Sequence, residues 1–141
     1  MLMNLYEIFD EFQAVPDREY RIDLLRRYDS WSLRQVLKGA FDPTIQFTIK
    51  KIPEYTPSLA PPGMGYTSII QELDRAYLFQ ENNPRVSPNL TEKRKEEILI
   101  QILEALEARE AIVYSNMILK DLKVPGLDAE IVREAFPDLL S

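Results

Sequence analysis

Six basic residues between positions 26 and 51 are the side chains whose type and spacing best suit a chemical task. They are Arg26, Arg27, Arg34, Lys38, Lys50 and Lys51. Only Asp29 and Asp42 oppose them, so this stretch has a local net charge of +4. Phosphate backbones are held by lysine and arginine side chains that share one face of a rigid element. The alternative is that these residues are ordinary solvated surface charges. The charge pattern taken alone favours this alternative.

A second candidate for phosphate binding is the stretch that contains Lys120, Lys123 and Gly126. Backbone N–H groups exposed at a glycine turn before a helix can hold a phosphate. Alternatively, Gly126 ends a helix and the two lysines complement the helix dipole, and the spacing alone favours this second interpretation.

Two other groups of residues are open to a chemical interpretation. Trp31, near the start of a helix, could stack on a base or fill the junction with the preceding helix, and core filling is favoured. The carboxylates of Glu104, Glu107 and Glu110 fall on one side of a helix. We expect them to be exposed surface rather than a metal site, because no partner group is indicated.

The composition argues against an enzyme. The chain of 141 residues has no cysteine and no histidine, which removes the thiolate nucleophile, the commonest general base and the commonest metal ligand. It has no glycine-rich phosphate loop and no nucleophile elbow. We therefore expect no catalytic residues, no cofactor, no metal and no small-molecule substrate. The net charge of −6 argues against indiscriminate nucleic-acid binding and favours a basic patch on an acidic protein.

Apolar residues recur at three- and four-residue spacing in seven stretches, each of which predicts a helix. The predicted helices are Asn4–Gln13, Asp17–Tyr28, Asp29 or Ser30 to Phe41, Thr67 or Ser68 to about Tyr77, Leu90 or Thr91 to Leu106, Ala111–Leu122 and Asp128–Phe136. The fifth and sixth form either an antiparallel hairpin or one kinked rod. The fold class predicted is all-α, a single compact domain of about six to seven helices over residues 1–141.

Two non-helical stretches interrupt this pattern. In residues 41–53, FDPTIQFTIKKIP, the alternation of Ile45, Phe47 and Ile49 with polar residues predicts an extended segment with one buried face. Lys50 would then point outward. Residues 54–66 are rich in proline and glycine and predict a crossing loop, which we expect Tyr55, Leu59 and Met64 to pin to the surface. The predicted inward face of the fourth helix comprises Ile69, Ile70, Leu73, Ala76 and Tyr77, and that of the sixth includes Ile112.

The chain resembles the N-terminal, all-helical DNA-binding domain of ATP-dependent DNA ligases, most closely the T-even phage type. One patch of the resemblance is FTIKKIP at residues 47–53, where two lysines are followed by an apolar residue and proline. The other lies near the end, where Lys120-Asp121-Leu122, Gly126 and Phe136-Pro137 fall in the family's order. The chain departs from the family in lacking a Lys-x-Asp-Gly adenylation motif and in placing Pro125 at the glycine turn.

The resemblance implies a non-enzymatic module that grips the phosphate backbone of duplex DNA, nicked duplex included, without sequence readout. It implies phosphate contacts at Lys50, Lys51, Lys120, Lys123 and Gly126, to which the basic segment adds Arg34 and Lys38. A replication or repair protein would be a further partner. The alternative is a protein-interaction adaptor that keeps the fold and has lost DNA binding, as the net charge of −5 over residues 67–141 suggests.

Neither a membrane span nor a signal peptide is indicated by the sequence. No apolar run is long enough to cross a bilayer, and the N-terminal MLMNLYEIFDEF lacks a basic region and a small-residue cleavage site. We expect a protein of the cytoplasm, in a bacterium or a phage-infected host cell, without membrane contact.

Overall fold

The computed structural model describes residues 3–141, which fold into seven α-helices and one 3-10 helix. In chain order they are α1 (Leu5–Ala14), α2 (Arg18–Arg27), α3 (Trp31–Phe41), α4 (Ile69–Asp74), the 3-10 helix (Ala76–Phe79), α5 (Glu92–Ala105), α6 (Ala108–Ile118) and α7 (Ala129–Ala135). These residues include no β-strand, only an isolated antiparallel bridge between Phe47 and Gln80. The predicted all-α class is confirmed, with its extended segment and its crossing loop between α3 and α4.

Local capping begins most of these helices where the sequence predicts. The carboxylate or hydroxyl of the residue before the helix accepts a hydrogen bond from a backbone N–H of the first turn, which satisfies a donor that has no partner inside the helix. The capping residues are Asp17, Ser30, Ser68, Thr91 and Asp128. At α1 the backbone N–H of Asn4 donates to Glu7 Oε1 at 2.9 Å.

Helix α6 lies at the centre of the fold and packs against α1, α3, α4 and α5, while α7 packs against α2. Helix α3 approaches α6 closely at Gly39, where an added Cβ would lie 2.8 Å from the side chain of Met117. On another side of α6 the buried Tyr114 donates its hydroxyl to the carbonyl of Glu72 at 2.9 Å. One continuous hydrophobic core therefore surrounds α6.

The predicted inward faces are wrong at two isoleucines. Ile70 on α4 and Ile112 on α6 are 57% and 52% exposed. Helix α4 ends at Asp74, and the 3-10 helix that follows has about three residues per turn. Ala76, which belongs to the expected face, is buried in this 3-10 helix, and the tighter turn brings Phe79 into the core as well. On α6 the neighbouring Val113 and Tyr114 are buried, because four helices pack around it.

Helices α5 and α6 are two packed helices rather than one rod. The extended residues Leu106 and Glu107 separate them, and the Glu107 carboxylate accepts hydrogen bonds from the backbone N–H groups of Arg109 and Glu110. The expectation that Glu107 is exposed is therefore wrong, because this cap is buried at the junction of the two helices. Helix α6 ends at Ile118, earlier than predicted, because Lys120 has a left-handed backbone conformation with φ of +59°.

Backbone contacts hold the crossing loop onto the α5–α6 junction. An added Cβ at Gly65 would lie 2.8 Å from the backbone nitrogen of Glu107, and Thr67 N–H donates to the Ala105 carbonyl at 3.2 Å. Tyr55 is half-buried as expected, but Leu59 is 100% exposed and Met64 is 70% exposed. The expectation that Leu59 and Met64 pin the loop is therefore wrong. Within residues 3–141, none of the helices combines the length and apolarity needed to cross a bilayer.

Candidate nucleic-acid interface

The extended segment, residues 41–53, is held by pairing with the residues that follow the 3-10 helix. Thr48 N–H donates to the carbonyl of Phe79, and Glu81 N–H donates to the carbonyl of Gln46, each at 2.7 Å. Phe47 and Ile49 are buried as predicted. Ile45, the third residue of the expected inward face, is only partly buried against the core.

This pairing leaves both lysines of the segment at the surface. Lys50 has a 66% exposed side chain, and its Nζ lies 3.4 Å from Glu81 Oε1. Such an exposed ion pair contributes about 0–1 kcal/mol, so a phosphate can compete for Lys50. Lys51 is exposed and has no ion-pair partner within 4.0 Å among the described residues. The charge of both side chains is therefore accessible from solvent.

The ammonium of Lys120, by contrast, is turned into the protein. Its Nζ donates to three backbone carbonyls, those of Gly39 at 2.7 Å, Asp42 at 2.9 Å and Ile45 at 2.6 Å. An ammonium has three N–H donors, so all three are used. Burial lowers the pKa of Lys120, the charge of Asp42 opposes this shift and the charge of Lys50 adds to it. In this arrangement Lys120 has no donor left for a phosphate, and its contact with DNA stays a prediction.

The backbone of Lys120 also ends α6. Lys120 N–H donates to the Met117 carbonyl and Asp121 N–H donates to the Asn116 carbonyl, both at 3.0 Å. This is the Schellman arrangement, whose left-handed position is usually glycine. A lysine there bears a steric cost of about 1–2 kcal/mol. The side-chain hydrogen bonds at the end of α3 offset that cost.

Lys123 lies beside this junction and faces solvent. It is exposed, and its φ of +56° gives it a second left-handed backbone. Lys120 and Lys123 line a cavity of 370 Å³, while Lys50 and Lys120 line a neighbouring cavity of 170 Å³. Lys120 therefore shares one cavity with Lys123 and the other with Lys50. We refer to the three exposed lysines Lys50, Lys51 and Lys123 together as the lysine surface.

Gly126, the glycine of the predicted phosphate turn, is exposed but has an arginine side chain against one side. Its φ is +85°, and an added Cβ would collide with the guanidinium of Arg21. Arg21 is held there by its Nε, which donates to the Phe12 carbonyl at 2.8 Å, and by stacking 4.7 Å above the Phe12 ring. The turn therefore packs onto α2, and a phosphate contact at Gly126 stays a prediction.

Arg34 and Lys38 lie one turn apart on α3 but have different surroundings. Arg34 donates two hydrogen bonds to Asp29, at 2.6 and 2.9 Å, and lies 4.7 Å above the Phe136 ring. The hydrogen bonds from Arg34 lower the pKa of Asp29 against the effect of burial. Lys38 instead lines a surface groove that also contains Trp31.

The remaining arginines of the +4 stretch are also engaged. Arg26 Nη2 donates to the Glu134 carbonyl at 2.7 Å, at the end of α7. Arg27 pairs with Asp23 at 2.6 Å one turn earlier on α2. Each arginine of the +4 stretch is therefore engaged within the fold, whereas Lys50 and Lys51 are exposed.

Two residues of interest were missed or misjudged from the sequence. Trp31 is 48% exposed and does not fill the junction with α2 as expected. Arg85, in the polar loop after the 3-10 helix, lies 4.0 Å above the Tyr77 ring and lines the same groove as Lys38. No sequence pattern marks Arg85, because loop residues follow no periodicity that would place them against α3.

The fold formed by these helices is shared with known structures. Two solved structures, named Pmar-Lig_Pre and Pmar-Lig_PreS3, match with TM-scores of 0.65 and 0.64 and 16% sequence identity each. Each match covers 98% of this chain, which spans 31% of the length of the solved structure. The chain belongs to the family described as a family of unknown function (DUF6433), whose model matches residues 8–124. No curated protein matches the sequence.

Proposed function

We propose that this chain is a non-enzymatic module that binds the phosphate backbone of duplex DNA without sequence readout. Its contacts are the exposed lysines of the lysine surface, Lys50, Lys51 and Lys123, and Lys38 on α3 is a further contact. The proposal assigns Lys120 and Gly126 to positioning these side chains rather than to phosphate contact. The module would be of the same class as the DNA-binding domain of ATP-dependent DNA ligases of the T-even phage type.

The observation that carries the proposal is the junction formed by Lys120. One side chain joins the end of α3, the start of the extended segment and the end of α6. Lys50 and Lys123 consequently stand on a common rigid support, as phosphate recognition requires. The likeness to ligase-related structures supports this assignment at the level of the fold. Readout of base sequence would need donors and acceptors placed in a groove, whereas lysines on phosphates carry no sequence information.

The test is a salt titration of binding to intact and nicked duplex. The native chain is compared with Lys50→Glu/Lys51→Glu. We expect the native logarithm of affinity to fall linearly with the logarithm of salt concentration. Each lost phosphate contact should reduce that slope by about 0.9, so the double variant should lose up to about 1.8.

A charge-matched control separates a local site from a general charge effect. Lys93→Glu/Arg94→Glu changes the net charge by the same amount in the mixed-charge first turn of α5. We expect this control to bind nearly as the native chain does. Equal losses for both double variants, or no binding of the native chain at low salt, would rule out the proposed site.

A second candidate function, a protein-interaction adaptor, is favoured by exposed apolar side chains on the crossing loop. Leu59 is 100% exposed, Tyr66 is 93% exposed and Met64 is 70% exposed. Large exposed apolar side chains grouped on one loop are typical of protein interaction sites. The partner of such an adaptor would be a replication or repair protein.

The adaptor function is tested by a pull-down from nuclease-treated lysate with the native chain and a Leu59→Ser/Met64→Ser variant. A partner that survives nuclease and is lost with the variant supports an adaptor. A partner that disappears with nuclease supports DNA binding instead.

A further inference from the structure

A surface groove separates α3 from the residues that follow α4. It has a volume of 240 Å³, and its walls include Trp31, Gln35 and Lys38 on α3, with Tyr77 and Arg85 opposite. The three α3 residues are spaced by four and three positions, so they lie on one face of the helix. One wall of the groove is therefore a helix face, and the other is formed by the 3-10 helix and the loop that follows it.

Trp31 supplies an aromatic surface at this groove. It is the single tryptophan of the chain, and it remains 48% exposed although the core has room for large aromatic residues such as Tyr114. Exposed aromatic side chains beside basic residues are the platforms on which nucleic-acid bases stack. An indole ring in this position suits a flat, apolar ligand face.

Two cations lie at the same groove without an acidic partner. Lys38 and Arg85 have no ion-pair partner within 4.0 Å among the residues that the structure describes, although Asp74 also lines the groove. Arg85 is stacked 4.0 Å from Tyr77, which holds its guanidinium in place. The amide of Gln35 offers both a donor and an acceptor for a base edge. A ligand with an aromatic ring and a negative charge matches this set.

The size of the groove limits that ligand to a small unit. Pockets for drug-sized molecules have volumes of about 300–1,000 Å³, and this groove is smaller. A base pair inside a duplex cannot expose the face of a base, so only an unpaired base can stack on Trp31.

We infer that this groove binds one unpaired nucleotide of a nucleic acid, with its base on Trp31 and its phosphate at Lys38 and Arg85. The inference rests on the proposed function in that the lysine surface would hold the adjoining duplex. The chain would then prefer duplex with a gap or a single-stranded overhang to continuous duplex.

Tryptophan fluorescence tests the groove directly, because Trp31 is the only tryptophan. The native chain is titrated with a short oligothymidylate, and its emission should be quenched in a saturable manner. In a second measurement, the affinity of Trp31→Ala for gapped duplex should fall roughly 5- to 150-fold, the range for loss of one stacked base. Its affinity for continuous duplex should stay unchanged. Tyr66→Ala removes an aromatic side chain that is 93% exposed outside the groove and should bind as the native chain does.

The outcomes separate this inference from the proposed function. If the chain binds continuous duplex with the expected salt slope but oligothymidylate does not change its fluorescence, the inference is overturned. The proposed function is then unaffected. Saturable quenching without any duplex binding supports the groove and overturns the duplex function. An equal loss of affinity for Trp31→Ala and Tyr66→Ala also overturns the inference.

Discussion

The ammonium of Lys120 donates a 2.9 Å hydrogen bond to the carbonyl of Asp42, although the two residues lie 78 positions apart in the chain. The same ammonium reaches the carbonyls of Gly39 and Ile45 on either side. Carbonyls at the end of a helix have no partner within the helix, and a positive charge there also complements the helix dipole. Lys120 therefore caps α3 with its side chain while its backbone ends α6.

Replacing Lys120 by methionine should lower the free energy of unfolding by about 2–4 kcal/mol. The change keeps an apolar stem but leaves three carbonyls without their donor, at about 1 kcal/mol or more for each. Urea denaturation measures the loss. Lys123→Met is the matched control, because Lys123 is exposed, and it should change stability by less than about 0.5 kcal/mol. Similar losses in the two variants would contradict the capping role of Lys120.

Lys120→Gly should be less destabilising than Lys120→Ala. Both variants lose the side-chain hydrogen bonds, but glycine adopts the left-handed φ of +59° without the steric cost that alanine retains. The difference should be about 1 kcal/mol in the free energy of unfolding. Thermal or chemical denaturation of the two variants measures this difference. Equal free energies of unfolding for the alanine and glycine variants would show that the left-handed backbone carries no strain.

Asp42→Asn should reduce stability at neutral pH and flatten its acid dependence. The buried carboxylate accepts from Thr44 N–H and Oγ1 at 2.9 and 2.7 Å and from Ser141 N–H and Oγ at 3.2 and 3.1 Å. Burial raises the pKa of Asp42, but these hydrogen bonds outweigh it and the net effect lowers the pKa. Since the folded pKa lies below the unfolded one of about 3.9, this stabilisation is present above pH 4. It is lost as the pH falls through the folded pKa.

Urea denaturation between pH 7 and pH 2.5 measures whether the contribution of Asp42 to stability decreases as the pH falls. The stability gap between the native chain and Asp42→Asn should be about 1–3 kcal/mol at pH 7 and should narrow with falling pH. Some acid dependence should persist in the variant, because the pKa of Asp29 is also lowered, by its hydrogen bonds with Arg34. A gap that stays constant over this range would contradict the assignment to Asp42.

Gly126→Ala should cost more stability than Gly63→Ala. Both glycines have left-handed backbones, with φ of +85° and +80°. At Gly63 nothing lies within 4 Å of an added Cβ, so alanine bears only the backbone cost of about 1–2 kcal/mol. At Gly126 the Cβ also meets the Arg21 guanidinium. In an Arg21→Ala background the Gly126→Ala loss should shrink toward that of Gly63→Ala, as a double-mutant cycle by urea denaturation will show. An unchanged loss in that background would mean that Arg21 does not fill the turn.

Most of the helices were predictable because their determinants are local. Asp17, Ser30, Thr91 and Asp128 cap helices through backbone N–H groups three positions away, and such short-range hydrogen bonds are visible in the order of residue types. The alternation in residues 41–53 likewise predicted that Phe47 and Ile49 turn inward. Ile70 and Ile112 were misjudged because the orientation of α4 and α6 depends on the helices around them.

The sequence by itself determined the all-α class, most of the helix starts, the extended segment and the presence of a basic stretch. Only the tertiary structure decided which charges are accessible. Arg34 and Lys120 carry the same charge as Lys50, yet the first pairs with Asp29 and the second is used up on carbonyls 75 to 81 positions away. Contacts between residues so far apart in the chain depend on how the helices pack. No periodicity in the sequence indicates which single lysine will make such a contact. The proposed function therefore depends on the basic side chains that are not engaged at helix ends or in other contacts within the fold.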